Sequence, residues 1–272
     1  MLKDITLGQY FPIESPIHSL DPRVKILLTF AFITGVFCVN SLWGFVAVAI
    51  FVLFTVFLSK VSLVTVIKGI KPVLFLIVFT ALINLFMTNG KIAQIGGVQL
   101  RAGFLKITEE GIYSAVLMSL RLMFLVVGTS LLTLTTSPIH LTDGIEKLLS
   151  PFAKIGVPAS ELAMMMTIAL RFIPTLLEET DKIMKAQMAR GADFESGNII
   201  NRARSLIPVL VPLFISSFRR ADELAVAMEC RCYRGGKGRT RLNELKMGIR
   251  DLVAALTVAV LVAAVFVINM YL

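Results

Sequence analysis

PASELAMMMTIALRFIPTLLEETDKIMKAQMARG, residues 158–191, is one long helical pattern, almost without a polar face at its start and heavily charged towards its end. It closes on a single arginine, Arg190, held between Ala189 and Gly191. A second ending of the same kind follows in AMECRCYRGG, residues 227–236, where Arg231 stands between Cys230 and Cys232. Leu162, Ala163, Met164, Met165, Met166, Ile168, Ala169 and Leu170 suit lipid or apolar protein, whereas Glu178, Glu179, Asp181, Lys182 and Lys185 suit water. Such a helix starts against an apolar surface and ends in solvent.

Outward from this stretch the chain is apolar in runs. Hydrophobic residues make up 56% of the 272, against about 45–50% in soluble domains, so the sequence reads as an integral membrane protein. The net charge is +9, with Lys and Arg flanking the apolar runs, where basic residues set orientation in a bilayer. They form no aromatic-interleaved patch, which argues against nucleic acid as a partner. Cys38, Cys230 and Cys232 are an odd number without framework spacing, and the two histidines, His18 and His140, lie far in sequence from the cysteine pair. Neither a disulfide scaffold nor a metal site is expected, and no cofactor is implied.

Residues 1–23 read as an amphipathic lead-in near the membrane surface, without a cleavable signal pattern. Asp21-Pro22-Arg23 then starts a helix, with Asp accepting from free backbone N–H groups and Pro fixing the first helical φ. Apolar runs follow at Val24–Val39, Phe45–Leu58, Pro72 to about Met87, Ile112 to about Leu134, and about Ile249–Leu272. Lys60, Lys68 and Lys71 mark a loop between the second and third runs. The polar stretch Lys91–Glu110 suits a short hairpin or irregular loop, with alternation at Val98-Gln99-Leu100. Arg121, inside the fourth run, is read first as an end residue that snorkels and second as a buried functional charge.

The expected architecture is therefore an all-α polytopic membrane protein with about five transmembrane helices. Residues 1–23 form the lead-in, 24–136 a four-helix membrane region, 137–247 a cytoplasmic segment and 248–272 a last membrane helix. Within the cytoplasmic segment three helices are expected, at Leu141–Phe152, Pro158–Arg190 with a kink at Pro174, and Arg202–Glu229. Placing this segment and the lysine-rich loop inside puts the N-terminus inside and the C-terminus outside.

Catalytic constellations are missing from the pattern. Gly235-Gly236-Lys237-Gly238 lacks the spacing and the Ser/Thr of a phosphate cradle, and there is no His-Glu-x-x-His stretch or nucleophile elbow. Glu178-Glu179 and Asp222-Glu223 are neighbours in sequence whose side chains point to different helix faces, so they read as solvated surface. The arginine tips remain. One arginine at a helix C-terminus complements the dipole, contributing about 0.3–1 kcal/mol. Two of them, each between small side chains at the end of a long amphipathic helix, point further. Small neighbours allow close approach to another backbone while the guanidinium forks onto a carboxylate.

In this light the chain resembles the transmembrane T component of energy-coupling factor transporters, the bacterial ABC importers for vitamins and metal ions. The resemblance runs through His18-Ser19-Leu20-Asp21-Pro22-Arg23-Val24-Lys25, Ala169-Leu170-Arg171-Phe172-Ile173-Pro174, Ala189-Arg190-Gly191 and Ala227–Gly236. It implies a non-catalytic energy-coupling subunit in the bacterial cell membrane. Its coupling motifs, Ala189-Arg190-Gly191 and Cys230-Arg231-Cys232, would dock on two ATP-binding cassette ATPase subunits, and it would also contact one or several substrate-binding S components. The second motif departs from the family's Ala-Arg-Gly at Cys230 and Cys232. The Cys-Arg-Cys-Tyr-Arg-Gly-Gly form looks most like variants that serve several S components in common. Met164, Met165 and Met166 fit an S-component surface, because methionine adapts to different partners, and fit core packing equally.

Two other functions stay open at this level. A self-contained secondary transporter would need polar or broken helices near mid-membrane, for which Asn84 and Arg121 are the candidates. A membrane-embedded enzyme would need convergent acid, base or metal ligands. The topology is tested by labelling intact cells: a cysteine placed at Ser196 is expected to resist an impermeant thiol reagent from outside, and labelling there would overturn the assignment of residues 137–247 to the cytoplasm.

Overall fold

The computed structural model describes residues 10–88, 94–95, 98–99, 101–102, 105–106, 108–194, 198–233, 235, 245 and 247–271. The first part of the lead-in, Gly96, Gly97, Gly103, Arg234 and Gly236 lie outside them. Among the described residues the chain is all-α, as expected. Its helices are α1 (Pro22–Phe37), α2 (Leu42–Ser59), α3 (Leu63–Ile70), α4 (Leu74–Met87), α5 (Glu109–Thr135), α6 (Pro138–Leu149), α7 (Ala159–Ala189), α8 (Ile199–Cys230) and α9 (Ile249–Tyr271). Between α4 and α5 the backbone forms two minimal antiparallel ladders. β1 (Gln94–Ile95) pairs with β2 (Val98–Gln99), and β3 (Arg101–Ala102) pairs with β4 (Leu105–Lys106).

Local chemistry accounts for the helix starts. The Asp21 carboxylate accepts from the Arg23 N–H with Pro22 in the first turn, Ser41 accepts from Gly44, and Thr108 accepts from Gly111. Each satisfies one of the N–H groups that a helix leaves orphaned. The loop expected over Lys60–Lys71 is instead mostly helix. Lys60 ends α2 with a left-handed φ of 56°, α3 begins at Leu63, and a 3₁₀ turn at Lys71–Val73 carries the chain through Pro72 into α4. The lysines had suggested a break, but Leu63, Val66, Ile67 and Ile70 repeat with helical spacing, and that periodicity prevails.

Five helical stretches are long and apolar enough to cross a bilayer: Leu42–Ser59, Leu63–Met87, Glu109–Thr135, Ala159–Ala189 and Ile249–Tyr271. Their number matches the sequence expectation, but their membership differs. α1 has 16 residues, short of the roughly 20 that span the hydrocarbon core. α7, expected to belong wholly to the cytoplasmic segment, qualifies because its first half is so apolar.

Two compact units form, Gly8–Gly144 with Leu245–Leu272, and, apart from the first residues of the chain, Ile145–Glu244. In the first unit α1 and α2 both pack on α5 and α9, and α3 and α4 pack on α5. Val48, Val52 and Val56 present one face of α2 to a core that includes Val36, Val127, Leu131, Leu261 and Val265. Phe45 stacks on Phe124 and Phe32 on Phe51, with ring centroids 6.1 and 6.0 Å apart. Gly128 makes room for Phe32: a Cβ there would stand 2.4 Å from a ring carbon.

Polar side chains close both ends of α1. At its start the buried Asp251 carboxylate accepts the Asp21 N–H at 2.8 Å and the Gly248 N–H at 2.7 Å. The buried Lys25 Nζ donates to the carbonyls of His18 and Thr135 at 3.1 and 3.0 Å, tying the lead-in to the end of α5. The Arg23 guanidinium donates to the Leu245 carbonyl at 2.9 Å. His18 gives Nε2–H to the Phe11 carbonyl, and its Nδ1 lies 2.7 Å from the Ser15 hydroxyl. Burial first, and then the Lys25 ammonium, hold its pKa below the usual imidazole value. At the other end of α1, Arg121 Nη2 donates to the Val39 carbonyl at 2.7 Å. Asn269 brackets the same turn, accepting the Asn40 N–H and donating to the Cys38 carbonyl.

In the second unit α7 packs on α8 and on the 3₁₀ turn Ser150–Ile155, with Ala159, Ala163 and Val209 buried. α7 continues through Pro174 and α8 through Pro208 and Pro212. Asp251→Ala is predicted to leave the buried Asp21 N–H unpaired, costing about 1–3 kcal/mol, and to turn the N–H of the exposed Gly248 to solvent. A clear fall in the thermal unfolding midpoint of the detergent-purified protein is the expected result, and an unchanged midpoint would remove Asp251 from the account.

Candidate functional site: two arginine-tipped helices

The ends of α7 and α8 are built alike. At the first, the Ala192 N–H bonds to the Gln187 carbonyl at 3.0 Å and the Gly191 N–H to the Met188 carbonyl at 2.9 Å. At the second, the Tyr233 N–H bonds to the Met228 carbonyl at 3.0 Å and the Cys232 N–H to the Glu229 carbonyl at 2.9 Å. Both are Schellman caps, in which a left-handed residue after the helix turns two N–H groups back onto orphaned carbonyls. Gly191 supplies the left-handed residue at φ 87° and Cys232 at φ 56°. The departure from glycine in the second motif thus leaves the backbone geometry unchanged. It places an L-residue where a Cβ costs about 1–2 kcal/mol.

The caps leave the arginines at the last helical turn with their side chains outward. Ala189, Arg190, Gly191, Cys230, Arg231 and Cys232 are all exposed. Among the described residues neither Arg190 nor Arg231 enters a salt bridge. Each tip therefore presents a planar five-donor group with small neighbours, on a backbone whose own hydrogen bonds are already made.

Back along the helices, Glu179 overturns the reading of Glu178-Glu179 as solvated surface. Glu178 is exposed, but the Glu179 carboxylate accepts from the Ser216 hydroxyl at 2.5 Å and from Arg220 Nη2 at 2.8 Å, both on α8. Asp222 and Glu223 are exposed, as expected. Near the start of α7, Met164 is half-buried while Met165 and Met166 are 55% and 42% exposed, so two of the three methionines face away from this chain's own core.

The polar groups that a carrier would need are otherwise engaged. Asn84 donates to the Thr80 carbonyl of its own helix, and Arg121 closes the end of α1. A cavity of about 390 Å³ in the first unit is lined by side chains such as Leu28, Phe51, Leu131 and Val253, and Lys25 at its wall already serves two carbonyls. Among the described residues no group of three or more His, Cys, Asp or Glu is placed to hold a metal. Cys230 and Cys232 are free thiols.

Fold and helix ends together define a multi-pass helical membrane protein in which two long helices close on a matched pair of arginine-bearing caps. Comparison with known proteins gives that class its place. A family model, CbiQ, described as cobalt transport protein, matches residues 14–242. The chain is 60% identical over 262 residues to the energy-coupling factor transporter transmembrane protein EcfT of Clostridium kluyveri, covering 96% of each. It is 57% identical over 260 residues to that of Thermosediminibacter oceani, again 96% of each. To the EcfT of Bacillus subtilis it is 45% identical over 266 residues, 98% of each. The chain belongs to this family: it is a non-catalytic, multi-pass transmembrane component of an energy-coupling factor transporter in bacteria.

The caps make a prediction of their own. Cys232→Gly is expected to retain the protection of the Cys232 and Tyr233 amide positions in hydrogen exchange, because the left-handed turn becomes easier. Cys232→Val is expected to lose it, since a β-branched residue resists positive φ. Equal protection in both variants would show that the cap does not depend on this conformation.

Proposed function

We propose that Arg190 and Arg231 dock this subunit on two ATP-binding cassette ATPase subunits, one arginine to each, and that α7 and α8 carry ATP-driven movement to one or several substrate-binding S components for uptake of vitamins or other micronutrients. The observation that supports this most is the repetition of one cap geometry at the two arginines. Two equivalent plugs suit two equivalent sockets. A grooved socket with a carboxylate at its floor would take the guanidinium by paired hydrogen bonds, and the small residues at 189, 191, 230 and 232 would let its walls close on the helix end.

On this reading residues 137–247 form the cytoplasmic coupling domain between the membrane region, 24–136, and the last membrane helix, 248–272. The exposed Met165 and Met166, with Met164 beside them, belong to the surface for S components. Their unbranched side chains repack against partners of different shape. The apolar first half of α7 would then lie in or beside the membrane against an S component, which explains why that helix is apolar enough to count among the spans. No nucleotide loop is needed in a subunit that borrows its energy from others.

Truncating one partner of a buried charge pair typically costs about 2–5 kcal/mol. Arg190→Glu and Arg231→Glu are therefore expected to weaken ATPase pull-down or abolish uptake, the double change more than either, while Arg239→Glu leaves both near wild type. If all three reversals behave alike, the arginines are ordinary helix ends. Met165→Asp is expected to reduce copurification of S components with ATPase binding largely kept. Loss of the ATPases first would assign that surface to the wrong partner.

A further inference from the structure

Glu179 stands across the contact between α7 and α8 and takes donors from two α8 residues four apart, Ser216 on one carboxylate oxygen and Arg220 on the other. Residues four apart share a helix face, so this fork fixes α7 against α8 in register as well as in distance. The ion pair is part-buried, with the Glu179 and Arg220 side chains 22% and 36% exposed. Its place is symmetric with respect to the tips. Residues 179 to 190 on α7 and 220 to 231 on α8 are both intervals of eleven residues, about 16 Å of helix. Pro174, Pro208 and Pro212 all precede the contact, so beyond it both helices run without proline to their caps.

Two unbroken arms of equal length, joined at a polar contact and each ending in an arginine, behave as levers about a pin. At a radius of about 16 Å, a 10° change in crossing angle moves a tip by about 3 Å, roughly the length of a hydrogen bond. Docking on two sockets at once tolerates little of that. Apolar contacts between helices permit sliding, whereas a carboxylate shared by two donors is lost on a shift of one turn.

We propose that Glu179, Ser216 and Arg220 form the pin that sets the spacing between Arg190 and Arg231, and that they are positioning residues for energy coupling. This rests on the docking role of the two arginines. The pin transmits: movement imposed on one tip turns its arm about the contact and reaches the proline-bearing half of the same helix.

The test uses the copurified transporter, in lipid nanodiscs for distances and in sealed proteoliposomes for uptake, with spin labels on cysteines placed at Ala186 and Val226 and the native cysteines removed as Cys38→Ala, Cys230→Ala and Cys232→Gly. Double electron–electron resonance should give one narrow distance. Glu179→Gln or Arg220→Gln should broaden it and lower uptake per ATP hydrolysed roughly three- to tenfold, with the same subunits still copurifying. The charge exchange Glu179→Arg with Arg220→Glu should narrow the distribution again and recover coupling. Ser216→Ala, which keeps the ion pair, should give intermediate broadening and covers the case in which the exchanged pair fails to fold. Unchanged distances in the single variants, or an exchange that folds without narrowing them, would overturn the pin. Failure of the docking reading is distinguishable, because it shows as normal subunit pull-down by Arg190→Glu and Arg231→Glu whatever the distances do.

Discussion

A chain in lipid has to satisfy its backbone polar groups from within, and a helix end near the bilayer is completed by side chains or by a turn of its own backbone. Short α1 shows how this constraint shapes the membrane unit. Asp251 and Lys25 serve the backbone around its start, and Arg121 and Asn269 serve the turn at its end. These donors and acceptors come from α5, α9 and α1 itself, so satisfying α1 also fixes which helices surround it. The valine and phenylalanine layer between the two ends then packs at positions already set.

The same constraint is met differently at the ends of α7 and α8. There a left-handed residue returns the chain's own N–H groups to the last carbonyls, and no foreign side chain is needed. The arginine in the last turn is released from capping duty. At Cys232 this arrangement is kept despite a Cβ in a conformation that favours glycine. Strain of this kind tends to persist where a local geometry is required, which agrees with a tip whose shape matters to a partner.

Much of this was legible in the residues. Asp21-Pro22-Arg23 announces a helix start through a side chain that caps, and the tips are visible as one arginine between small residues. What escaped was long-range or conformational. Asp251 meets Asp21 across 230 residues, and nothing local in Ile249-Arg250-Asp251 sets that carboxylate apart from an ordinary first-turn acid. Glu179 reads beside Glu178 as wet surface because periodicity tells which face a residue occupies and not which helix covers it. Lys68 and Lys71 carry charge that suggests a loop, although the apolar residues beside them repeat with helical spacing. That Cys232 would copy Gly191 lay in a backbone angle, although the parallel between Ala189-Arg190-Gly191 and Cys230-Arg231-Cys232 carried the hint.

On the docking proposal the two capped arginines are a matched pair with two separate sockets. A photo-reactive amino acid at Ala189, at Cys230, or at both, irradiated in native membranes, measures this directly by the mass of the adducts. The account predicts one ATPase subunit attached to each singly substituted chain and two attached to the doubly substituted one. Adducts to lipid or to substrate-binding subunits alone, with no ATPase at either position, would contradict it.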